Sequence, residues 1–465
     1  MNKTVNDYIW AFLMSAIKII LQAIAIIVLG RILLPEDFGL IGMISIFIAF
    51  STMLVDSGMG ASLFRKEKVE EIEYSTLFIY NLAISIFIYV ILYITAPYIS
   101  LFYKQETLIS IIRVISLIII INAISRCQYT KLLKDFKYKT LSLITISSNA
   151  IAITIAIILA LKGFGVWSLV YMQISEMSIT TLLYIISNKY FPSFRFSSKA
   201  FKEQFNFGIS LFGATALKTI SDNIQSNIIA KIMPLNITGC YVQAQRIQHV
   251  PNLILMSVLD KVMFPQLSII KNTSILQNKF FQTNKWVSFL SISLSLYLCI
   301  TAQDIIPFIL TKKWELAGEI LSILILIMIP DSIKICCRNM LKSLGHSKLI
   351  LKNELILSVL IIISTCIFAQ FGINIMVIGI LGAYIIGSFY IAYDTAHKLN
   401  CKIIQIFYPY IKYICIYIPL AFLYKIITYF IPQSNHTILL LILTILYFAL
   451  FLYCTYKLKE QNKYD

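Results

Sequence analysis

The sequence predicts an all-α integral membrane protein of about fourteen transmembrane helices: two six-helix lobes, repeated in parallel around a central cavity, followed by two further helices. Three observations carry this expectation. First, 59% of the 465 residues are hydrophobic and only 13% are charged, far more apolar surface than a soluble core of that size needs. Second, apolar runs of about 20 residues, the length that crosses a hydrocarbon core, recur along the whole chain. Third, the first and seventh of these runs match residue by residue. With no water to satisfy the backbone inside lipid, such runs are expected to be helices.

The expected crossings are 9–29, 39–58, 75–96, 107–125, 141–161, 167–187, 207–230, 239–259, 287–302, 319–333, 353–370, 375–393, 405–430 and 437–456. They group into an N-terminal lobe (1–200), a C-terminal lobe (201–400) and a tail segment (401–465) holding the last two helices. The formal charge of +17 invites a nucleic-acid reading, but its distribution argues against one. Of the 39 basic residues, 27 fall in the termini and alternate loops, six in the opposite loops and six inside helices. By the positive-inside rule both termini are expected in the cytoplasm. Basic loops such as Arg126, Lys131, Lys134, Lys137 and Lys139 then set topology, with contact to anionic membrane lipids as a secondary role.

The nine cysteines form no C-x-x-C pair and several, including Cys299, Cys366 and Cys415, lie in apolar runs, so they are expected to be free thiols. The first apolar run lacks a basic leader and a small-residue cleavage site, so it is expected to remain as a helix.

An ungapped comparison at a spacing of 200 aligns Phe12 with Phe212, Ala16 with Ala216, Lys18 with Lys218, Ile20 with Ile220, Ile24 with Ile224, Ile32 with Ile232 and Gly39 with Gly239. Isoleucine matches alone would carry little; a shared intramembrane lysine carries more. At a spacing of 209, Lys139 pairs with Lys348 and Gly163 with Gly372. Six helices separate the equivalents, an even number, so the copies share one orientation, and halves of this kind expose a central site alternately to the two sides of the membrane.

An ionised side chain at mid-bilayer costs on the order of 2.5–3.5 kcal/mol, so each is expected to face protein or water. Ser15, Lys18 and Gln22 form one helical stripe. Thr215, Lys218 and Asp222 form its counterpart, extended by Gln225. The eighth helix adds Tyr241, Gln243, Gln245, Arg246, Gln248 and His249, too polar a set to face lipid. A space holding Lys18, Lys218 and Arg246 suits an anion, and ammonium and guanidinium donors match phosphate or pyrophosphate. Alternatives stand beside this reading. Asp222, four residues after Lys218, can simply neutralise it. Arg113 and Glu176 can form an interhelical pair. His249 reads as a packing residue, and Asp56, ahead of Ser57-Gly58-Met59-Gly60 and Arg65, caps a helix or serves a cytoplasmic gate.

No Walker loop, H-E-x-x-H or acidic cluster for a divalent metal occurs. The longest loop, of about 27 residues, leaves no room for a soluble catalytic domain. The expectation is a transporter with no catalytic residues, metal or cofactor, and with sodium or proton coupling through Asp222 as an open alternative.

The stretches Gly30-Arg31-Ile32-Leu33-Leu34-Pro35-Glu36-Asp37-Phe38-Gly39-Leu40, Asp56-Ser57-Gly58-Met59-Gly60-Ala61-Ser62-Leu63 and Gly163-Phe164-Gly165-Val166-Trp167-Ser168-Leu169 resemble the polysaccharide flippases of the multidrug/oligosaccharidyl-lipid/polysaccharide exporter superfamily, the O-antigen and capsule repeat-unit exporters. The resemblance, taken with helix number and repeat, covers essentially the whole chain. It implies a V-shaped pair of lobes in a bacterial inner membrane that moves undecaprenyl-pyrophosphate-linked oligosaccharide to the outer leaflet, with polysaccharide polymerase machinery as a candidate partner and nucleic acid as none. It assigns pyrophosphate binding to Lys18 and Arg246, with Lys218 supplied by the repeat; the positions and charges of Arg31, Asp56, Arg65, Arg113 and Glu176 are read, apart from the resemblance, as gating or structural. It also suggests that the last two helices hold the polyprenyl tail. A cation-coupled multidrug exporter of the same superfamily and a membrane-embedded polysaccharide enzyme are the rival readings.

Overall fold

The computed structural model describes the backbone of residues 3–464 except 57, 65, 67, 260–262, 264–266, 268–269, 271 and 431–435; side chains at 3–16, 56, 210–211, 213–215, 217–218, 222, 254, 256–258, 425, 428–430, 436–441 and 459–464 also lie outside the description. Seventeen α-helices follow one another among the described residues. They are α1 (Lys3–Ile32), α2 (Pro35–Asp56), α3 (Met59–Phe64), α4 (Glu71–Tyr103), α5 (Thr107–Ile115), α6 (Leu117–Lys134), α7 (Tyr138–Leu161), α8 (Val166–Asn188) and α9 (Ser198–Ile232). There follow α10 (Leu235–Val258), α11 (Thr273–Leu310), α12 (Glu315–Leu324), α13 (Met328–Ser343), α14 (Ser347–Phe368), α15 (Ile373–Leu399), α16 (Ile403–Phe430) and α17 (His436–Tyr464). Counting α2–α3, α5–α6 and α12–α13 as broken single segments, they fall on the fourteen expected crossings. Ten spans among the described residues are long and apolar enough to cross a membrane, and a shorter apolar stretch covers Ile442–Leu458. The chain is a multi-pass membrane protein.

Helices overrun the expected crossings at the basic ends. The crossing expected at 319–333 continues as α13 to Ser343, because a helix leaving the membrane keeps its backbone bonds while its charged side chains reach water. Starts and stops follow local chemistry. Pro35 opens α2 at the position where a missing N–H costs nothing, and Glu36 and Asp37 sit in its positive first turn. Asn272 caps α11 by accepting from the Ser274 and Ile275 amides at 2.9 and 3.4 Å.

The repeat read from sequence recurs in the backbone. At a spacing of 200, α1 and α9 end at Ile32 and Ile232, and α2 and α10 begin at Pro35 and Leu235. At 209, the break at Ser116 between α5 and α6 corresponds to the 3-10 turn Ile325–Ile327 between α12 and α13. Left-handed residues recur at the same spacing: Phe136 (φ 54°) with Gly345 (φ 78°), and Gly163 (φ 82°) with Gly372 (φ 108°). Glycine carries no steric cost there.

By contacts the chain divides into two compact units, Met1–Val242 and Gln243–Asp465. The repeat boundary near residue 200 and this compactness boundary are different properties: α9 belongs to the second copy by sequence, yet packs along α2 and against α3 and α4 in the first unit. Hydrogen bonds fix it there. Tyr103 donates to Asn227 Oδ1 at 3.0 Å and Gln204 to the Glu73 carbonyl at 3.1 Å. In the second unit the core runs through α11, α13, α16 and α17. Phe289 stacks on Phe451 at 4.8 Å and Tyr417 on Tyr447 at 4.9 Å, so the two C-terminal helices are anchored to α11 and to each other by aromatic packing.

Within the first unit the starts of α2 and α10 cross at backbone distance, with near two-fold correspondence. A Cβ on Gly39 would lie 2.5 Å from the Leu235 carbonyl oxygen, and one on Gly239 would overlap the carbonyl of Pro35, the residue equivalent to Leu235. Gly42 faces its own equivalent, Val242, whose methyl would lie 2.6 Å from an added Cβ. Only hydrogen at both glycines permits this approach. Gly239→Val is therefore expected to destabilise the protein by at least about 3 kcal/mol, the upper range for overpacking, read as a fall in thermal midpoint in detergent. Gly382→Ala, where an added Cβ has no heavy atom within 4 Å, should be neutral or stabilising by up to about 1 kcal/mol. Equal midpoints for the two variants would contradict the crossing.

Candidate substrate site

The helical period of α1 separates two exposed faces. Ile20, Ile24 and Ile27, 58%, 44% and 37% exposed, lie on roughly the opposite side of the helix from Lys18 and Gln22. Lys18 is exposed and Gln22 half-buried. Among the described residues no hydrogen bond or ion pair involves the Lys18 ammonium. The isoleucine face suits lipid, and a mid-helix ammonium on the other face requires water or a ligand. Two to three turns further along, the Lys18 face is buried at Leu29 (2% exposed), so the accessible stretch stops short of the Gly39 crossing.

On α9, the side chains of Lys218 and Asp222 lie outside the described residues, and with them the alternative of a Lys218–Asp222 pair. Their stripe continues to Gln225, which is buried and accepts a hydrogen bond from the Tyr241 hydroxyl on α10. Ser221, Ser226 and Asn227 are buried beside it, a polar density that an aliphatic environment would not tolerate unpaired. On α10, Gln243 is fully buried, Arg246 half-buried and His249 exposed. Lys18, Gln22 and Gln225 thus lie in the first unit, Gln243 and Arg246 in the second.

The remaining expected residues occupy distinct places. Arg31 is exposed at the end of α1. Asp56 closes α2, with its side chain outside the described residues, as is the whole of Arg65. The interhelical Arg113–Glu176 pair does not form: Arg113 lies over the Tyr93 ring at 4.3 Å, and Glu176 accepts from Asn149 Nδ2 at 3.0 Å. The two helix faces point to different neighbours, which spacing along each helix does not reveal. Two of the motif stretches meet: Asp37 Oδ2 accepts from the Leu34 amide at 3.0 Å, and a Cβ on Gly165 would lie 3.1 Å from Asp37 Oδ1. Asp37 is therefore a helix-start residue packed against the Gly163-Phe164-Gly165 turn.

The second unit holds an apolar cavity of about 830 Å³, bounded by Pro251 and Leu255 of α10, Leu294 and Tyr297 of α11, and Phe448 and Leu452 of α17. Its walls are hydrocarbon and aromatic, chemistry that suits an aliphatic chain.

Sequence reasoning missed several charges. Lys334 on α13, assigned to a loop, is largely buried 2.9 Å from Asp331. Asp394 accepts from Asn353 at 2.8 Å. The signal for the first pair was its i,i+3 spacing at the edge of an apolar run. At the basic end of the first unit, Lys66 bridges Glu73 and Glu203, the latter at 2.9 Å. Hydrogen bonds donated to Glu73 and then to Glu203 hold the Lys66 ammonium above its ordinary value, and the bond accepted from Lys66 holds Glu203 below the usual carboxylate range. The cluster contributes between those ranges, fading as pH falls through the carboxylate range or rises past that of lysine.

These features define a multi-pass helical membrane protein in which, among the described residues, an exposed lysine lies on a helix face away from the exposed isoleucines and an apolar cavity lies in the second unit. The sequence profile of polysaccharide biosynthesis proteins matches residues 28–319, and the chain belongs to that family. The teichuronic acid biosynthesis protein TuaB of Bacillus subtilis is 24% identical over 321 residues, covering 68% of this chain and 66% of that relative. Among solved structures, the lipid II flippase MurJ in its inward closed conformation superposes with a TM-score of 0.77 at 16% identity, over 97% of this chain and 99% of that one. An inward-facing multidrug resistance MATE family transporter of the MOP superfamily gives 0.65 at 14% identity, over 82% and 94%. The fold is that of the superfamily the sequence resembled.

Removing the Lys334 ammonium leaves Asp331 buried without its counter-charge. Lys334→Met should cost about 3–5 kcal/mol, and the double change Asp331→Asn with Lys334→Met should recover most of it, as measured by equilibrium unfolding in mixed micelles. A double variant as unstable as the single one would show that the pair is not coupled.

Proposed function

We propose that the protein is a flippase that carries polyprenyl-pyrophosphate-linked oligosaccharide repeat units across a bacterial inner membrane for surface-polysaccharide assembly, by alternating access. The observation that carries the reading is the exposed ammonium of Lys18 on the face of α1 turned away from its exposed isoleucines. A pyrophosphate is a ligand that such a face can hold through charge-assisted hydrogen bonds. Membership of a polysaccharide biosynthesis family, and a fold shared with a lipid II flippase, support a lipid-linked sugar as cargo.

In this reading Lys18 and Lys218, with Arg246, hold the pyrophosphate; Gln22, Gln225 and Gln243 supply neutral hydrogen-bonding groups along the sugar path. The cavity between α10, α11 and α17 takes part of the polyprenyl tail. Ligand binding relieves repulsion among the cations and so favours occlusion; the cycle advances only because the ligand binds successive states with different affinity. The charge bias of the loops supports a cytoplasmic position for both termini. The chain works without a catalytic residue of its own, and sodium or proton coupling through Asp222 is part of the proposal. The basic character of the α1 face disfavours a cationic drug as cargo.

Replacing Lys18 and Lys218 together by Ala should abolish surface polysaccharide in a strain that depends on this protein, with unchanged protein level, and precursor should accumulate on the inner leaflet. Normal surface polysaccharide in that strain would refute the proposal.

A further inference from the structure

Arg113 has no role in the reading above. Its guanidinium packs on Tyr93 at 4.3 Å, and its buried Nε has no hydrogen-bond partner. Among the described residues no carboxylate pairs with it, since Glu176 is bound by Asn149. A guanidinium inside a membrane helix without an anion is costly. Arg113 lines a cleft of about 450 Å³ shared with Tyr89, Tyr93, Glu106, Ser110 and Leu117.

The order of these groups is informative. Glu106, Ser110, Arg113 and Leu117 follow at spacings of four, three and four residues, one face of the α5–α6 segment. Glu106 stands at the N-terminal end of α5 and is exposed. Arg113 is seven residues deeper, about 10 Å at helical rise, and Leu117 lies about 6 Å beyond that. Facing them, Tyr89 and Tyr93, one turn apart on α4, hold their rings 6.0 Å apart at 45°. From the helix end inward the cleft offers a carboxylate, a hydroxyl, a guanidinium backed by the Tyr93 ring, and then hydrocarbon. A membrane lipid whose headgroup carries an amine beyond its phosphate presents the complementary series: ammonium, phosphate, acyl chain.

We propose that this cleft is a binding site for a zwitterionic, amine-bearing phospholipid, with Arg113 taking the phosphate, Glu106 the ammonium, and Leu117 the start of an acyl chain. Glu106 supplies the selectivity, because an anionic headgroup meets the carboxylate without a compensating cation. The site is independent of the flipping reading: its occupant is a resident lipid, and its readout is retention, not transport.

The test uses the full-length protein in nanodiscs of equal phosphatidylethanolamine and phosphatidylglycerol, with native mass spectrometry of the lipids retained on release. The wild type should retain phosphatidylethanolamine preferentially. Arg113→Gln should lower that retention about ten-fold, the order expected for losing one charge-assisted partner, while Arg113→Lys keeps part of it. Glu106→Gln, an exposed change that spares the fold, should remove the preference for phosphatidylethanolamine over phosphatidylglycerol. Unchanged retention in Arg113→Gln, or no preference in the wild type, would overturn the site. Displacement of the retained lipid by undecaprenyl pyrophosphate would also overturn it and assign the cleft to pyrophosphate-bearing cargo instead.

Discussion

Hydrocarbon offers no hydrogen-bond partner and no counter-charge, and much of the polar chemistry of this protein is arranged around that deficit. Backbone groups are satisfied within helices. Several charges among the described residues find partners within the protein. Asp331 and Lys334 answer each other at 2.9 Å. Glu176 is answered by a neutral amide, while Arg113 packs on an aromatic ring and keeps an unpartnered Nε. Lys18 is answered by none of the described residues, and it is exposed on the side of α1 away from its exposed isoleucines. An ammonium exposed at mid-helix with no partner among the described residues marks a place where water or a ligand can stand.

The duplication gives the molecule its geometry. Equivalent helices end at equivalent residues, and the copies touch where Gly39 faces Leu235 and Gly239 faces Pro35. That crossing, the Asp37 contact with the Gly165 turn and the Tyr103–Asn227 hydrogen bond lie near the same end of the helices. These contacts lie beyond the point where the Lys18 face becomes buried at Leu29. The motifs that mark the family are therefore largely packing motifs: Pro35, Asp37, Gly39 and Gly165 set how helix starts meet, while the basic stripe lies two to five turns away.

Much of this was legible in the chain. Apolar length located the crossings, because helix length in a membrane follows bilayer thickness; the 3.6-residue period placed Lys18 and Gln22 on one face, where the structure exposes Lys18 and half-buries Gln22. What was not legible depends on which faces pack together. Arg113 and Glu176 looked like partners and face different neighbours. Lys334 and Arg338 looked like loop charges, because hydropathy locates the membrane boundary and not the helix end. The packing of α9 along α2 follows from side-chain fit, which periodicity does not encode, and the apolar cavity on α17 looked no different in sequence from any lipid-facing run.

The central claim is that the basic α1 face carries a pyrophosphate-linked sugar across the bilayer. A leaflet-resolved assay in proteoliposomes loaded with undecaprenyl-pyrophosphate-linked oligosaccharide tests it most directly, because the readout is movement of the cargo itself. The wild type should make inner-leaflet cargo accessible to an external sugar-modifying probe, whereas Lys18→Ala should leave it protected. Equal accessibility with the two proteins, or none with the wild type, would contradict it.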